Sequence, residues 1–371
     1  MNFDLSDTQT MVQDTLRRFL ADRYDFETRQ KISRSEAGWS PDVWKAFAEE
    51  LGILAAPFSE EMGGLGGGPV ENMIVMEELG RALVVEPYLS TVVLGGGFAR
   101  EAGREDLIEG IIAGETRFAF AWAEPKGRYD LAHVEVSANE KDGGWTLSGH
   151  KAVVRDAPAA THLIVTARTS GGKTDEDGVS LFVVPADGKG VSRRDYPLVD
   201  GGIASEITFE NAPVADNGLL GEAGKAMPTV RKVVDEAIAA LCSESVGVMR
   251  QLHQLTMDYT RERKQFGVPI SKFQVLQFRM VDMLLELEQA QSMTLMATLK
   301  LPDPAAVAMA KAKIGKALTF CGQEAVQLHG GNGISDEYAV GHYFKRATMI
   351  EAQFGPTDHF LRRYERLTLA A

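Results

Sequence analysis

The spacing of apolar residues changes period twice along the 371-residue chain, and that double change restricts the fold more than any other feature. Over residues 1–115 the spacing is helical. Ser6-Asp7-Thr8-Gln9 has the form of a capping box, with Val12, Leu16 and Phe19 following on one face. Ser40-Pro41 repeats the start signal before Val43, Phe47 and Leu51. Over residues 116–225 the period falls to two, as in Phe118, Phe120 and Trp122, then Val134 and Val136, Leu163 and Val165, and Ile207 and Phe209. Turn-rich stretches, residues 139–144, 170–178 and 185–190, separate these runs with no helical pattern between them, so hairpins in a small barrel or sandwich are predicted. Over residues 226–371 the helical period returns. Val234, Ile238, Leu241, Ser245, Val248, Leu252, Leu255 and Tyr259 form one stripe; Leu276, Met280, Met283, Leu287, Ala290 and Thr294 form a second; Val307, Ala310, Ile314, Ala317, Cys321, Ala325 and Leu328 form a third. The predicted fold is mainly α with a β insertion: an N-terminal all-α domain, a middle β domain and a C-terminal helical bundle.

Charge and composition exclude several classes. With a net charge of −13 and basic residues interspersed among acids, no nucleic-acid groove is expected. No segment approaches the roughly 18 uninterrupted apolar residues of a membrane helix. Met1-Asn2-Phe3-Asp4-Leu5 lacks a basic region followed by an apolar one, so a secretory signal is not expected and a cytoplasmic location is. Cys242 and Cys321 fall inside apolar helical patterns, which predicts two buried thiols and neither a disulfide nor a metal site. Gly63-Gly64-Leu65-Gly66-Gly67-Gly68 mimics a dinucleotide-binding spacing but follows no strand of a βαβ unit, so a loop is expected there.

Two stretches could carry chemistry. Tyr259-Thr-Arg-Glu-Arg-Lys-Gln-Phe-Gly267 ends one helical stripe, and Phe273-Gln274 begins the next. Arg261 and Lys264 there suit the carbonyl end of a helix dipole. Arg263, with Gln265, Phe266 and Gln274, offers a guanidinium fork for a diphosphate and an aromatic face for a flat ring. Gln327-Leu-His-Gly-Gly-Asn-Gly333 closes the third stripe; its paired glycines suit either a helix C-cap or the close approach of a cofactor to bare backbone donors.

With these motifs in this order, the sequence resembles the acyl-CoA dehydrogenase family over essentially its whole length. Pro57-Phe-Ser-Glu-Glu-Met-Gly-Gly64, Glu86-Pro-Tyr-Leu-Ser-Thr-Val-Val-Leu-Gly95 and Gly341-His-Tyr-Phe-Lys-Arg346 make it similar to the small-subunit type of pimeloyl-CoA dehydrogenase and related heteromeric enzymes. The resemblance implies a C-terminal four-helix bundle, FAD as cofactor, an acyl-CoA substrate and electron-transfer flavoprotein as electron acceptor. It implies that FAD lies between subunits, gripped at its diphosphate and adenosine by Arg263, Gln265, Phe266 and Gln274. Gln327, His329, Gly330 and Gly331 would complete the site from a neighbouring protomer, with Thr357 as a further contact.

The family's reaction needs a carboxylate beside the substrate α carbon. The residue matching the usual Glu is Gly355, in Phe354-Gly-Pro-Thr357, and the alternative position on the helix after the β domain is Ala237, one residue past Glu236. Other positions depart too. The loop that faces flavin and substrate reads Ala123-Glu-Pro-Lys-Gly-Arg-Tyr-Asp130, introducing Lys126, Arg128 and Tyr129; the Trp-Ile-Thr segment that covers the flavin becomes Val153-Val-Arg155; an Arg near the coenzyme A site becomes Ile238, with Asp235 kept. The leading expectation is a FAD-holding subunit whose paralogous partner supplies the base. A homotetrameric dehydrogenase with a displaced base, Glu351 or Glu244, is a second reading, and a flavin-free scaffold or binding protein a third. A flavin monooxygenase is compatible with the same motifs. Asp358 and His359 are adjacent in sequence, which sets them about 100° apart on a helix and gives little support for a dyad.

Overall fold

The computed structural model describes residues 4–141 and 143–369, so the first three residues of the N-terminal reading, and Asp142 of the turn at 139–144, lie outside the described residues. In chain order the helices before the sheet are α1 (Asp7–Arg23), α2 (Phe26–Ser33), α3 (Pro41–Glu49), α4 (Pro69–Ala82), α5 (Gly96–Glu101) and α6 (Glu105–Ile112). Strands β1 (Phe118–Ala121), β2 (Ser137–Lys141), β3 (Gly144–Arg155), β4 (His162–Arg168), β5 (Val179–Pro185), β6 (Val191–Pro197), β7 (Ile203–Val214) and β8 (Leu219–Leu220) follow. Then come α7 (Met227–Glu262), a hairpin of β9 (Lys264–Gln265) and β10 (Val268–Pro269), α8 (Gln274–Leu299), α9 (Pro304–His329), α10 (Ala339–Ala352) and α11 (Thr357–Leu369). The chain is thus N-terminal helices, a middle β-sheet domain and a C-terminal helical bundle.

Residue contacts divide the chain into two compact units, one of residues 1–31, 69–84 and 238–371, the other of residues 32–68 and 85–237. The first is helical. Its α1 starts as its sequence predicts: Ser6 Oγ accepts from Gln9 N at 3.2 Å while Gln9 Oε1 accepts from Ser6 N at 3.0 Å. Helix α9 starts at Asp303, whose carboxylate accepts from Ala305 N at 2.9 Å, with Pro304 at the first helical position. All seven residues of its expected stripe are buried, and so are Ala306, Ala308, Lys311 and Leu318 on other faces, because α8, α10 and α11 all pack on it. Helix α8 buries Met280, Met283, Leu287, Ala290 and Thr294 as expected. Its opposite side is also apolar and exposed, at Val275 (63%), Phe278 (58%), Val281 (52%) and Leu285 (54%).

In the second unit the strands form one mixed sheet in the order β6-β7-β3-β2-β4-β5-β8, with β1 added parallel to β4. Sequential hairpins β2–β3, β4–β5 and β6–β7 are antiparallel, as the turn-rich spacers predict. Ala119 and Ala121, Leu147 and Val154, Leu163 and Val165, Phe182 and Val184, and Ile207 and Phe209 share one core, so alternate residues of β1, β3, β4, β5 and β7 point to a common interior. Two details differ from the sequence reading. Val134 and Val136 are buried but precede β2, which starts at Ser137. Strand β6 has no counterpart in the apolar pattern: Ser192, Arg193, Arg194 and Asp195 are exposed, so it shows no apolar alternation and is held by backbone pairing to β7.

Candidate functional site

The end of α7 runs into a tight hairpin. Gln265 pairs with Val268 and Lys264 with Pro269, leaving Phe266 (φ 54°) and Gly267 (φ 81°) as the central residues. Positive φ at both is the type I′ geometry that suits hairpin twist, and only the glycine adopts it without strain. The strained residue displays its ring: Phe266 is 90% exposed, touching Phe273 edge-on at a centroid distance of 6.1 Å. Arg263, Gln265 and Gln274 are exposed at the same corner, Arg263 N being held by Tyr259 O at 2.8 Å and its carbonyl by Ile270 N at 2.8 Å. The four side chains assigned by resemblance to the diphosphate and adenosine are therefore presented together.

The second motif meets the first within the same chain. Tyr259, one turn before Arg263, stacks on His329 with ring centroids 4.4 Å apart, and its hydroxyl accepts from Asn332 Nδ2 at 3.3 Å. His329 is buried, donates from Nδ1 to Ala325 O at 2.8 Å, and burial lowers its pKa, so a neutral ring braces the two helix ends. Gln327 and Gly331 are exposed, as is Gly330 at φ 59°, and a Cβ on either glycine would meet nothing within 4 Å. No second protomer is needed to bring the motifs side by side, and the His329 ring faces Tyr259 inside the bundle.

At the turn from α10 to α11, Gly355 has φ 131°, and a Cβ there would lie 2.7 Å from His359 Cδ2. Glu351 Oε1 accepts from Thr357 N at 2.8 Å, the carboxylate of one helix end satisfying the first amide of α11. Beneath the turn, the buried Lys311 ammonium donates to Ile350 O at 2.8 Å, Glu351 O at 2.9 Å and Gly355 O at 3.4 Å, and sits 5.6 Å over the Phe360 ring. Burial pushes its pKa down to about 8. Asp358 is exposed, whereas the His359 ring packs edge-on against Phe360 at 5.2 Å, so the two neighbours diverge as helix geometry requires.

The alternative base position is equally occupied by structure. Ala237 is fully buried, and Glu236 is paired with Arg100 Nη2 at 2.9 and 2.8 Å. Glu244 is buried and held bidentately by Arg346, at 2.5 and 2.8 Å. Both substitute carboxylates, Glu351 and Glu244, are thus committed to structural partners.

A buried network in the β sheet escapes the sequence reading. Lys151 is fully buried and donates to Glu124 Oε1 at 2.8 Å, Thr166 Oγ1 at 2.9 Å and Trp122 O at 3.1 Å. Glu124 also accepts from the amides of Glu135 (2.6 Å) and Val136 (3.1 Å), so it anchors the start of the altered 123–130 loop. A lysine amid the residues of a long strand is the available signal. Among the described residues no group of three His, Cys, Asp or Glu could hold a metal ion, and no helix is long and apolar enough to cross a membrane. Cys242 and Cys321 are buried, and burial pushes both thiols up to about 12.

A helical start, a β-sheet middle and a helical bundle whose corner gathers the two motifs define an acyl-CoA dehydrogenase-type flavoenzyme scaffold. Comparison with known proteins agrees: the acyl-CoA dehydrogenase N-terminal domain matches residues 6–115, the middle domain 119–212 and the C-terminal domain 227–366. The chain belongs to the acyl-CoA dehydrogenase family, oxidoreductases that act on the CH–CH bond of acyl-CoA thioesters. It is similar to the probable acyl-CoA dehydrogenase YngJ of Bacillus subtilis, 29% identical over 375 residues, covering 96% of this chain and 97% of that one. It is also similar to the caffeyl-CoA reductase-Etf complex subunit CarC of Acetobacterium woodii, 29% identical and covering 92% of each. Among solved structures, a variant of the Tcur3481-Tcur3483 steroid ACAD superposes with a TM-score of 0.88 at 27% identity, covering 98% of each chain.

Proposed function

We propose that this chain is the FAD-holding, base-lacking subunit of a heteromeric acyl-CoA dehydrogenase. The observation that carries the proposal is the contrast between its two halves: the corner of Arg263, Gln265, Phe266, Gln274, Gln327, Gly330 and Gly331 is exposed and preorganised, whereas every carboxylate position is closed. Gly355 and Ala237 carry no base, and Glu351 and Glu244 are engaged elsewhere. The residues present fit the cofactor: the Arg263 fork suits a diphosphate, the displayed Phe266 ring suits a flat heterocycle, and Gly330 and Gly331 leave room for backbone approach. His329 acts from behind, holding α7 and α9 together through Tyr259, and Thr357 is available only at its side chain because its amide is taken by Glu351.

FAD, when bound, supplies the hydride acceptor for α,β-dehydrogenation of an acyl-CoA. What this chain's residues do is bind and orient it; the α proton must be taken by a carboxylate of the partner. The pairing of two names in the solved steroid ACAD supports a two-component enzyme, and the Etf named with CarC supports electron-transfer flavoprotein as acceptor.

The test is purification of the chain alone and with a paralogous subunit bearing the catalytic Glu. The chain alone is expected to take up FAD, giving yellow protein, and to leave it oxidised when an acyl-CoA is added; the pair is expected to bleach it. Rapid bleaching by the lone chain would refute the subunit reading, and colourless protein that takes up no FAD would refute the cofactor.

A further inference from the structure

Strand β3 ends irregularly. Its pairing with β7 slips register between Lys151 and Val154, and two residues in the slip and just after it have left-handed backbone, Val153 at φ 49° and Asp156 at φ 61°. Positive φ is a genuine outlier for a β-branched residue and persists only where the surroundings enforce it. The surroundings do so here: the Ser90 hydroxyl, from a π-helical segment Leu89–Gly95, donates to the Asp156 carboxylate, and Asp156 N donates to Ile203 O at 3.0 Å. Bulges and π-helical turns are both devices that re-aim side chains near functional sites.

The side chain re-aimed is Arg155. Its Nη1 is buried with no hydrogen-bond partner among the described residues, and Nη2 reaches Asp200 Oδ2 only at 3.4 Å. The other oxygen, Oδ1, accepts from Gly202 N at 3.2 Å. Space beside the guanidinium depends on that glycine, since a Cβ at Gly202 would lie 3.1 Å from Nη2. Val153, two residues away, is 50% exposed, so the stretch lies at the surface while the guanidinium nitrogen does not. A buried cationic donor with one long contact is costly unless a further acceptor completes it.

We propose that Arg155 Nη1 donates to an acceptor atom on the dioxopyrimidine edge of the FAD isoalloxazine ring, making Arg155 a flavin-binding residue of this chain. The inference rests on the FAD reading above and on the match of Val153-Val-Arg155 to the flavin-covering segment. Flavin carbonyls and ring nitrogens are acceptors, and reduction places negative charge on the same edge. A fixed guanidinium there both orients the ring and favours the reduced and sulfite-adduct forms over the oxidised one. It also explains why strain is tolerated at Val153: the slip turns a strand residue into a cofactor contact.

The experiment compares the full-length wild-type chain with Arg155→Met, Arg155→Lys and Asp200→Asn, measuring FAD dissociation, the visible flavin bands and the affinity of bound flavin for sulfite. Arg155→Met is expected to weaken FAD and sulfite binding at least about tenfold each, the loss of one charge-assisted hydrogen bond. Arg155→Lys keeps the charge without the fork and is expected to retain part of the sulfite affinity while shifting the bands. Asp200→Asn is expected to leave FAD and sulfite affinity at or above wild type. If Arg155→Met fails to fold, the lysine variant decides: unchanged bands and sulfite affinity overturn the proposal. Equal losses in Arg155→Met and Asp200→Asn also overturn it, since they mean a structural ion pair. A wild type that binds FAD while Arg155→Met matches it in every readout overturns it as well, because solvent then satisfies Nη1. A wild type that takes up no FAD defeats the cofactor reading itself.

Discussion

Gly355 illustrates how one missing side chain becomes built into its surroundings. A carboxylate at this position would need a Cβ 2.7 Å from the His359 ring, on a backbone at φ 131° that L residues rarely adopt. Gly355→Glu is therefore expected to destabilise the lone chain by about 1–3 kcal/mol and to leave it unable to bleach flavin with acyl-CoA. Thermal unfolding and stopped-flow flavin reduction measure the two effects; a stable, active variant would show that only the carboxylate was lacking. The substitution at Gly355 is legible from sequence, as is the exposed corner of Arg263, Gln265 and Gln274. The role of His359 in closing the position is not, because adjacent residues in a helix give no hint of which faces back across the preceding turn.

The α10–α11 connection is held by Lys311, whose ammonium supplies the donors for three carbonyls where α10 ends. Lys311→Met is expected to cost about 2–4 kcal/mol by leaving those carbonyls buried without a donor, read as a lowered urea midpoint. Its titration has a definite sign. Burial pushes Lys311, and likewise Lys151, from an ordinary 10.5 to about 8, so between these values the native state has released a proton that the unfolded chain still binds. Their contribution to stability is lowest below about pH 8 and rises toward pH 10.5. Lys311→Met is expected to flatten that rise between about pH 8 and 10, and an unaltered slope would show that Lys311 keeps its proton in the fold. Both lysines sit where a pattern of apolar positions predicts ordinary core, and a single chain offers no local sign that a charge is buried and partnered.

Helix α8 has two apolar faces, and only one is used within the chain. Val275, Phe278, Val281 and Leu285 lie within about 120° of one another, opposite the buried Met280, Met283 and Leu287. Exposed apolar side chains in such a row are ordinarily covered by a partner, and Phe266, held at strained φ and 90% exposed, adds to the case. Val275→Glu with Phe278→Glu is expected to convert the oligomer to a smaller species by light scattering, and to release FAD if the cofactor lies across that contact. An unchanged mass would place the interface elsewhere.

The order helices, sheet, bundle follows from the sequence because burial of one face imposes a period of 3.6 or 2 on any chain that folds this way, and the starts of α1 and α9 follow because capping is local. The cofactor motifs are also contiguous, so they can be read before folding. What only the tertiary structure decided depends on residues far apart in sequence: the stacking of Tyr259 on His329, which joins the two motifs within one chain; the pairing of Glu244 with Arg346, which removes a candidate base; the edge strand β6, held by β7 and not by its own pattern; and the slip in β3 that buries Arg155 Nη1. Each is a contact between side chains or backbones brought together by packing, and packing is a property of the whole chain that no window of sequence contains.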